Sequence, residues 1–494
     1  MQNRKSKGQV FTPHYLVSFM LNLCGYTGLD ILKKHVIDNS CGDGAFLCEV
    51  VHRYIRAAFA CHMSKEEIVF DLSYYIHGIE KDGNAYNDCL YNLSKISDRY
   101  HLGYIQWDVL EADALTCNDF KGKMDYVVGN PPYVRVHNLK DTYSIVKHYA
   151  FTQEGMTDLY LAFFELGFSM LAPNGRMCYI TPSSWLNSVA ANYMREYLYK
   201  HRNMEALVDL GHFQPFERAT AYTLISYFVN DKVRRNTFSY YVYDSESCDK
   251  SFVDELPYNA SYIDKCFFLS DRPTLLTLQQ IKSANVSKYV SVKNGFATLA
   301  DNVFIGDNLP KSPLTIPIVK ASTARKSFCI FPYDHQGKPL EKDFIFAFEP
   351  IKKHFEANMT SLLKGKDEYD GWYLYGRTQA LADVYKRRLS INTLIRDHHD
   401  LKFVELMPGE GVYSGLYIIP LVDISLQHLQ DILRTKAFTQ YVKALKKYKS
   451  GGYFTFNSKD VEQYLNYMIS IHPNDYVDQQ KISYQNLRLF QELH

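Results

Sequence analysis

Short apolar runs alternate with amphipathic stretches over the first half of the chain, from about residue 30 to residue 230. This alternation is typical of a βαβ domain with a mostly parallel sheet, because each buried strand is followed by a helix that covers the sheet. The predicted strands span residues 36–38, 75–80, 124–128, 177–181, 206–210 and 223–229.

Two of the amphipathic stretches carry apolar residues at helical spacing, one over residues 45–60 and one over residues 158–171. We expect both to be helices. Thr157 precedes the second stretch and is the predicted N-cap, and the Pro-Asn-Gly sequence at 173–175 should end that helix.

After about residue 245 the pattern becomes irregular. Strand-like and helical pieces mix, separated by polar, glycine-bearing turns such as residues 367–371 and 450–452. A chain of 494 residues also exceeds what one hydrophobic core usually organises. We therefore predict an α/β domain over residues 1–245, followed by a mixed α+β domain over residues 246–494.

The composition fits a folded protein of a reducing compartment. Lys and Arg number 55 against 54 Asp and Glu, so any nucleic-acid surface must come from local clusters of charge. The ten cysteines contain no C-x-x-C pair, which argues against a metal ion and against a disulfide framework. No signal peptide and no apolar stretch of about 18 residues is present, so we expect a cytoplasmic protein that does not enter a membrane.

The first predicted strand ends at Asp38 and runs into a turn that contains Cys41, Gly42 and Gly44. Glycines let the backbone approach a ligand closely. A dinucleotide fingerprint would need a third glycine where Leu47 stands, and an acidic residue about 20 positions on, whereas Glu80 lies much further along the chain. The turn alone is also typical of a plain strand-to-helix connection.

S-adenosylmethionine suits this turn better than NAD does. It has no pyrophosphate to bind, and its ammonium and sulfonium groups favour a carboxylate such as Asp38 nearby. Glu80 at the end of the next strand can accept hydrogen bonds from both ribose hydroxyls.

The most informative segment is an apolar strand that ends in Asn130-Pro131-Pro132-Tyr133. Open α/β sheets place their active sites at the carboxyl ends of the strands. The Asn130 side-chain oxygen and the Pro131 carbonyl can each accept one hydrogen of an amino group, and the prolines stiffen the loop. Such a pair of acceptors would pull the delocalised amino group of adenine towards a nucleophilic geometry without a strong general base.

Tyr133 would offer an aromatic face to the base. A base inside a duplex cannot reach a methyl donor, so it must be flipped out and held. The tetrapeptide alone is also compatible with a turn that caps a strand. Its position after the glycine turn and Glu80 favours the catalytic interpretation.

With these motifs the chain resembles the DNA adenine-N6 methyltransferases of bacterial restriction-modification systems, specifically the Taq-like, gamma-class group. The motifs occur in the order of that class over about residues 8–230. The resemblance implies a Rossmann-like, S-adenosylmethionine-dependent methyltransferase domain followed by a target recognition domain. It also implies S-adenosyl-L-methionine as the cofactor and double-stranded DNA as the partner.

The resemblance further implies a set of cofactor contacts. Residues 8–13 (GQVFTP) resemble the N-terminal cofactor motif, in which Thr12 contacts the methionine part. Asp113 resembles the acid that contacts the cofactor adenine, although Asp108 competes for this role, and Phe163 would pack against the same ring. The implied cofactor residues are Thr12, Asp38, Cys41, Gly42, Gly44, Glu80, Asp113, Asn130 and Phe163.

The implied catalytic residues are Asn130, Pro131, Pro132, Tyr133 and Phe216. Phe216 begins the segment 216–222, where the family places a second aromatic side chain against the flipped base. Phe213 is near enough to take this role instead, and either ring can equally be part of the core.

The second half resembles recognition domains more loosely, at residues 294–298, 372–379 and 450–456. The basic clusters at 386–388 and 443–449 would contact phosphates, and each is as compatible with an ordinary solvated surface. We expect the chain to act on DNA as a monomer. Because the first methyltransferase motif begins at Gly8, any cognate restriction endonuclease is expected to be a separate protein.

Three other functions stay open. A protein-glutamine N5 or an RNA methyltransferase can use the same tetrapeptide, but neither resembles this chain in residues 8–13 or in the large second half. A DNA-binding specificity module with an inactive catalytic fold would not need Asp38, Glu80 and Asn130 intact. We therefore predict a site-specific DNA adenine-N6 methyltransferase, the modification component of a restriction-modification or related defence system.

Overall fold

The structure is a computed structural model that describes residues 12–135, 143–216, 221–363 and 371–472. The chain divides into two compact units, unit 1 over residues 1–279 and unit 2 over residues 280–494. Three parts of the segments discussed above lie outside the described residues, namely residues 8–11, 217–220 and 367–370.

The helices and strands of unit 1 are α1 (His14–Leu23), β1 (Val36–Asp38), α2 (Ala45–Ala60), α3 (Lys65–Tyr75), β2 (Ile76–Glu80), α4 (Gly83–Arg99), β3 (Asp108–Glu111), β4 (Met124–Gly129), α5 (Tyr143–Val146), α6 (Leu159–Met170), β5 (Leu171–Pro182), α7 (Asn192–His201), β6 (Met204–Asp209), β7 (Thr223–Val229), β8 (Thr237–Asp244), β9 (Asp249–Pro257), α8 (Tyr258–Ser261), β10 (Tyr262–Ile263) and β11 (Cys266–Phe267), and α9 (Arg272–Ser283) crosses the boundary between the units.

One large sheet organises unit 1, with the strand order β3-β2-β1-β4-β5-β7-β6-β8-β9. Strands β1 to β5 pair in parallel, whereas β7 is antiparallel to β5 and β6. From the centre of the sheet the strand order runs outward in two directions, through β1, β2 and β3 on one side and through β4 and β5 on the other. The position between β1 and β4 is therefore a topological switch point, where open α/β sheets bind their ligands. The predicted α/β fold is confirmed, and all six predicted strands are present.

Apolar side chains at helical spacing cover one face of this sheet. In α2 the buried residues include Phe46, Leu47, Val50, Val51 and Tyr54, which lie on one side of the helix. They join a core with residues from α1, α3 and α4 and with the β1 and β4 side chains Val36 and Val128. This packing fixes the loops that follow β1, β2 and β4.

The predicted boundary at residue 245 is too early. Residue 245 lies in the hairpin turn between β8 and β9, whose pairing begins with Asp244 opposite Asp249. Strand β8 also pairs in parallel with β6, so both strands belong to the sheet of unit 1. Unit 1 therefore continues to residue 279.

The prediction for the helix before β5 needs two corrections. Helix α6 begins at Leu159 with Asp158 at the N-cap position, one residue later than expected from Thr157. It ends at Met170 and β5 begins at once, so residues 173–175 lie within β5. They form a bulge there, because the pairing with β4 shifts after Met124 opposite Leu171.

The helices and strands of unit 2 are β12 (Val290–Asn294), α10 (Asp301–Phe304), β13 (Ile305–Gly306), β14 (Thr315–Lys320), β15 (Arg325–Ile330), α11 (Lys342–Phe346), α12 (Glu349–Ala357), α13 (Met359–Leu363), β16 (Arg388–Ile391), β17 (Leu394–Ile395), β18 (Phe403–Leu406), β19 (Gly411–Tyr413), β20 (Leu416–Pro420), α14 (Leu426–Leu433), α15 (Lys436–Ala444), β21 (Tyr448–Lys449), β22 (Tyr453–Thr455) and α16 (Ser458–Ile471).

Unit 2 is mixed α+β, as the irregular pattern predicts. In the part of unit 2 that the structure describes, the strands form three small sheets with the orders β12-β20-β16-β18, β13-β15-β14-β19 and β17-β22-β21. Among the described residues of the whole chain, no helix is both long and apolar enough to cross a membrane.

Candidate functional site

The carboxyl ends of β1 and β4 meet at the switch point of the sheet. The two strands pair in parallel, so Asp38 and Gly129 end side by side. Gly129 has φ +152°, and a Cβ atom there would lie 2.6 Å from Asp38 Oδ1. Only glycine lets the backbone that leads to Asn130 pass so close to this carboxylate.

Asp38 is almost fully buried, with 2% of its surface exposed. Its Oδ1 accepts the Ser40 backbone N–H at 3.0 Å. Burial raises the pKa of the Asp38 carboxyl to about 8, and the nearby Glu80 and Asp43 carboxylates add to this effect. A bound cation would restore the charged form, so this position suits a positively charged ligand group.

Glu80 joins the loop after β1 to the loop after β2. Its Oε2 accepts the Gly42 N–H at 2.9 Å and its Oε1 accepts the Asp82 N–H at 2.8 Å. Each carboxylate oxygen retains a second lone pair for a ligand hydroxyl. Glu80 therefore has a structural role that the sequence did not predict, together with the expected position beside the glycine turn.

The glycine turn has the left-handed backbone that its sequence suggests. Gly42 has φ +58° and Gly44 has φ +88°, and a Cβ on Gly44 would lie 2.8 Å from Cys89 Sγ on α4. Cys41 is buried within the turn, and its neighbour Cys89, together with burial, raises the pKa of its thiol well above the usual value. Cys41 therefore stays protonated and packs as an apolar side chain.

Asn130 contacts the remaining part of the N-terminal motif. Its Nδ2 donates to Thr12 Oγ1 at 3.1 Å, across 118 residues of sequence. Because the nitrogen is the donor in this bond, the amide oxygen is the side-chain atom that can accept from a substrate amino group. The structure thus brings two predicted motifs together.

Tyr133 is held by its hydroxyl and packs against Phe216. The hydroxyl donates to the Ile180 carbonyl of β5 at 3.1 Å, and the ring meets Phe216 edge-on at a centroid distance of 6.3 Å. Phe213 instead stacks on Tyr243 at 5.5 Å. Of the two candidates, the geometry favours Phe216 as the second aromatic residue beside Tyr133.

Asp108 and Asp113 lie at opposite ends of strand β3, Asp108 at its amino end and Asp113 just beyond its carboxyl end. Asp108 begins β3, and its Oδ2 bonds to His77 Nδ1 at 2.5 Å near the start of β2. Asp113 follows the carboxyl end of β3, and its Oδ2 accepts from Lys81 Nζ at 2.8 Å. The carboxyl edge carries the other predicted residues, so the geometry favours Asp113.

Lys81 is a neighbour of the site that the sequence analysis missed. It directly follows Glu80, which was the only available signal. Phe163 is buried in α6, and this helix packs against β4 and against the short turn at Ala114–Thr116 that follows Asp113. Phe163 and Asp113 are therefore on adjoining elements.

One predicted phosphate cluster in unit 2 is largely structural. Arg388 is fully buried and donates to the Val384 carbonyl at 2.9 Å, so it cannot meet a phosphate. Lys386 pairs with the buried Asp383 at 2.7 Å. Arg387 is exposed, and so are Lys443 and Lys449 of the second cluster.

Part of the chain matches a known protein family, and most of it aligns with characterised relatives. Residues 57–216, which include Glu80, Asn130, Tyr133 and Phe216, match the family model of the Eco57I restriction-modification methylase. The chain is 26% identical over 379 residues to the Type II methyltransferase M.BstVI of Geobacillus stearothermophilus. This alignment covers 68% of this chain and 67% of that protein.

A second relative is the Type II restriction enzyme and methyltransferase RM.Eco57I of Escherichia coli. It is 23% identical over 540 residues, covering 86% of this chain and 53% of that enzyme. The chain thus spans about half to two thirds of the lengths of these two relatives.

Two solved structures share the fold. The Type IIL restriction-modification enzyme MmeI in complex with DNA has a TM-score of 0.62 and 14% identity, covering 94% of this chain and 68% of that one. The nuclease-deletion mutant of the Type ISP restriction-modification enzyme LlaGI has a TM-score of 0.51 and 12% identity, and the match covers 83% of this chain and 48% of that one. The expected resemblance to restriction-modification methyltransferases is confirmed by the match of residues 57–216 to the Eco57I family model and by both relatives.

Proposed function

We propose that the chain is a DNA methyltransferase that uses S-adenosyl-L-methionine to methylate N6 of an adenine flipped out of duplex DNA. The observation that carries the proposal is the meeting of three motifs at one sheet edge. The Asn130 loop leaves β4 beside the buried Asp38, and Asn130 donates to Thr12.

The residues at this edge fit S-adenosyl-L-methionine, whose sulfonium makes its methyl group electrophilic. Asp38 would hold the positively charged end, and pairing with a cation would offset the burial that raises the pKa of its carboxyl. Glu80 would bind the ribose hydroxyls, and Gly42 and Gly44 let the backbone approach. Thr12 would contact the methionine part, and Asp113 and Phe163 the adenine ring.

Asn130 and Pro131 would act on the target base. Their oxygens accept the two N6 hydrogens and draw the amino group out of the ring plane, which makes the nitrogen lone pair available. Tyr133 and Phe216 would enclose the ring of the flipped base. The proton is lost to solvent after the new bond forms, so these residues need not include a strong base.

Unit 2 would recognise the DNA sequence. Its exposed basic residues Arg387, Lys443 and Lys449 are suited to phosphates. The relatives and the MmeI complex support duplex DNA as the partner. We propose that the chain acts as a monomer in the cytoplasm of a bacterium, as the modification component of a restriction-modification or related defence system.

The test is methyl transfer by the full chain from labelled S-adenosyl-L-methionine to duplex DNA, RNA or a release-factor protein in parallel. We expect label in duplex DNA only, and N6-methyladenine after digestion to nucleosides. Label in RNA or in glutamine would contradict the proposal, and N4-methylcytosine would contradict the choice of base. Binding of DNA without any transfer would indicate an inactive specificity module.

A further inference from the structure

One arginine of unit 2 is held rigidly although it is exposed. Arg396 directly follows β17, and 56% of its side chain is exposed. The guanidinium carbon lies 4.7 Å from the ring centroid of Tyr453 on β22. Strands β17 and β22 pair directly, so the two side chains rest on one small sheet.

Asp400 holds the same guanidinium from the side. Its Oδ2 accepts from Arg396 Nε at 3.2 Å and its Oδ1 accepts from Nη2 at 3.3 Å. Asp400 Oδ2 also accepts the Arg396 backbone N–H at 2.8 Å, and the Asp400 carbonyl accepts from Asn392 Nδ2 at 3.1 Å. The carboxylate is thus anchored independently of the guanidinium that it orients.

Stability alone does not account for this arrangement. Exposed ion pairs contribute little to folding, and ordering a long arginine side chain costs rotamer entropy. A guanidinium that is fixed by a ring and a carboxylate is, however, preorganised for a ligand. Such a preorganised group suits a binding function.

The remaining hydrogen-bond donors define the ligand. A guanidinium has five N–H groups, and Asp400 takes Nε–H and one Nη2–H. The outer fork of Nη1 and Nη2 still offers parallel N–H groups, which fit two acceptors in one plane. Guanine presents such a pair, N7 and O6, in the major groove.

A phosphate fits this position less well. Asp400 already neutralises the guanidinium, and the exposed carboxylate of Asp397 lies next in sequence, with Oδ1 bonded to the His399 N–H at 2.8 Å. Both carboxylates repel a phosphate, which carries a full negative charge, more strongly than they repel the uncharged edge of a base.

We propose that Arg396 recognises a guanine of the target sequence through its major-groove edge, with Asp400 and Tyr453 as positioning residues. This inference rests on the proposed function, since it assumes that the chain binds a duplex. It names one base of a recognition sequence that is otherwise unspecified.

The test is selection of bound duplexes from a pool with randomised positions, using the full chain and each variant, followed by sequencing. We expect the wild-type chain to select a motif that contains a G·C pair. Arg396→Lys should lower the preference at one G·C position by about ten- to a hundredfold and leave the other positions unchanged. Asp400→Asn should weaken the same position to a smaller extent.

Arg325→Lys is the matched control. Arg325 is an exposed arginine of the same unit, and it pairs with Asp307 at 2.5 Å. This variant should select the wild-type motif. Thermal unfolding of all variants checks that they are folded.

An unchanged motif in Arg396→Lys would overturn the inference, and a uniform loss of affinity with that motif would identify a phosphate contact instead. A wild-type motif without a G·C pair would overturn it as well. Because selection requires no methyl transfer, a wild-type chain that selects the motif but methylates no adenine would refute the proposed function and leave the inference intact.

Discussion

Asn130 lies half-buried at the end of β4, with its amide nitrogen 3.1 Å from Thr12 Oγ1. If its oxygen stabilises the charge that develops on N6, Asn130→Ala should slow single-turnover methyl transfer by about 100-fold or more. DNA affinity should hardly change. Asn236→Ala is the control. Asn236 lies just before β8, away from the carboxyl ends of β1 and β4, and its side-chain oxygen accepts from Arg202 at 3.1 Å. Near-normal transfer by Asn130→Ala would remove Asn130 from the reaction.

Tyr133 should act through its ring more than through its hydroxyl. Base-aromatic stacking contributes about 1–3 kcal/mol, so Tyr133→Ala should destabilise the flipped base strongly. Tyr133→Phe keeps the ring and loses only the bond to the Ile180 carbonyl, so it should keep most of the activity. Fluorescence of 2-aminopurine at the target position measures flipping. Equal damage in both variants would show that the hydroxyl is the essential group.

The raised pKa of Asp38 predicts how cofactor binding depends on pH. Because burial raises this pKa to about 8, the carboxyl is protonated in the free protein near neutrality and must lose its proton to pair with the cofactor ammonium. Affinity should therefore rise between about pH 6 and pH 7.5, below the range in which the cofactor amino group itself titrates. Calorimetry should show this rise in the wild type and a weaker, flat profile in Asp38→Asn. A flat wild-type profile would contradict the assignment.

At this scale the sequence predicts residue types better than their partners. Asn130-Pro131-Pro132-Tyr133 can be recognised from the apolar strand that precedes it. The bond to Thr12 and the contact between Gly129 and Asp38 depend on segments far apart in the chain. The basic cluster at residues 386–388 was predicted to contact phosphates from its residue types alone. Those types do not show that Arg388 is buried.

The junction of β4 with its loop depends on Gly129. Gly129→Ala should lower the melting temperature and abolish cofactor binding, because the new Cβ would lie 2.6 Å from Asp38 Oδ1 in addition to the strain of φ +152°. Gly122→Ala is the matched control, since Gly122 has φ +70° with open space around it. It should cost about 1–2 kcal/mol of backbone strain and leave cofactor affinity unchanged. Equal effects in both variants would show that the contact with Asp38 is unimportant.

Elements with local signals are predicted well, and elements that depend on distant pairing are not. Strand β1 and helix α2 have the predicted bounds, because apolar periodicity and the glycine turn define them locally. The Pro-Asn-Gly sequence is expected to end α6, yet α6 already ends at Met170, and these residues form a bulge in β5 where the pairing with β4 shifts. Strands β8 and β9 were not predicted, since only their pairing with β6 assigns them to unit 1.

For the whole molecule, the proposed division of labour predicts salt-dependent DNA binding through unit 2. Lys449→Gln removes an exposed charge and should weaken DNA binding, reducing the slope of log affinity against log salt by about 1. Lys447→Gln is the contrasting variant, because Lys447 pairs with the buried Asp460 at 2.5 Å. It should lower the melting temperature instead. An unchanged salt slope in Lys449→Gln would exclude this lysine from the DNA surface.

The two units were predictable from length and pattern, whereas their boundary was not. A division at residue 245 would separate β8 from β9, which both belong to the sheet of unit 1. The recognition sequence is beyond the reach of sequence patterns altogether. It depends on which side chains reach the base edges, and Arg396 is the residue for which the geometry makes a specific proposal.

The central claim is adenine N6 methylation of DNA at the Asn130 loop. Its most direct test is mapping of modified bases in genomic DNA from bacterial cells that lack their own DNA methyltransferases and express either the full chain or Asn130→Ala. We expect N6-methyladenine at one sequence motif with the wild-type chain and almost none with the variant. Unmodified DNA from cells that contain folded wild-type protein, or methylation on cytosine, would contradict the account.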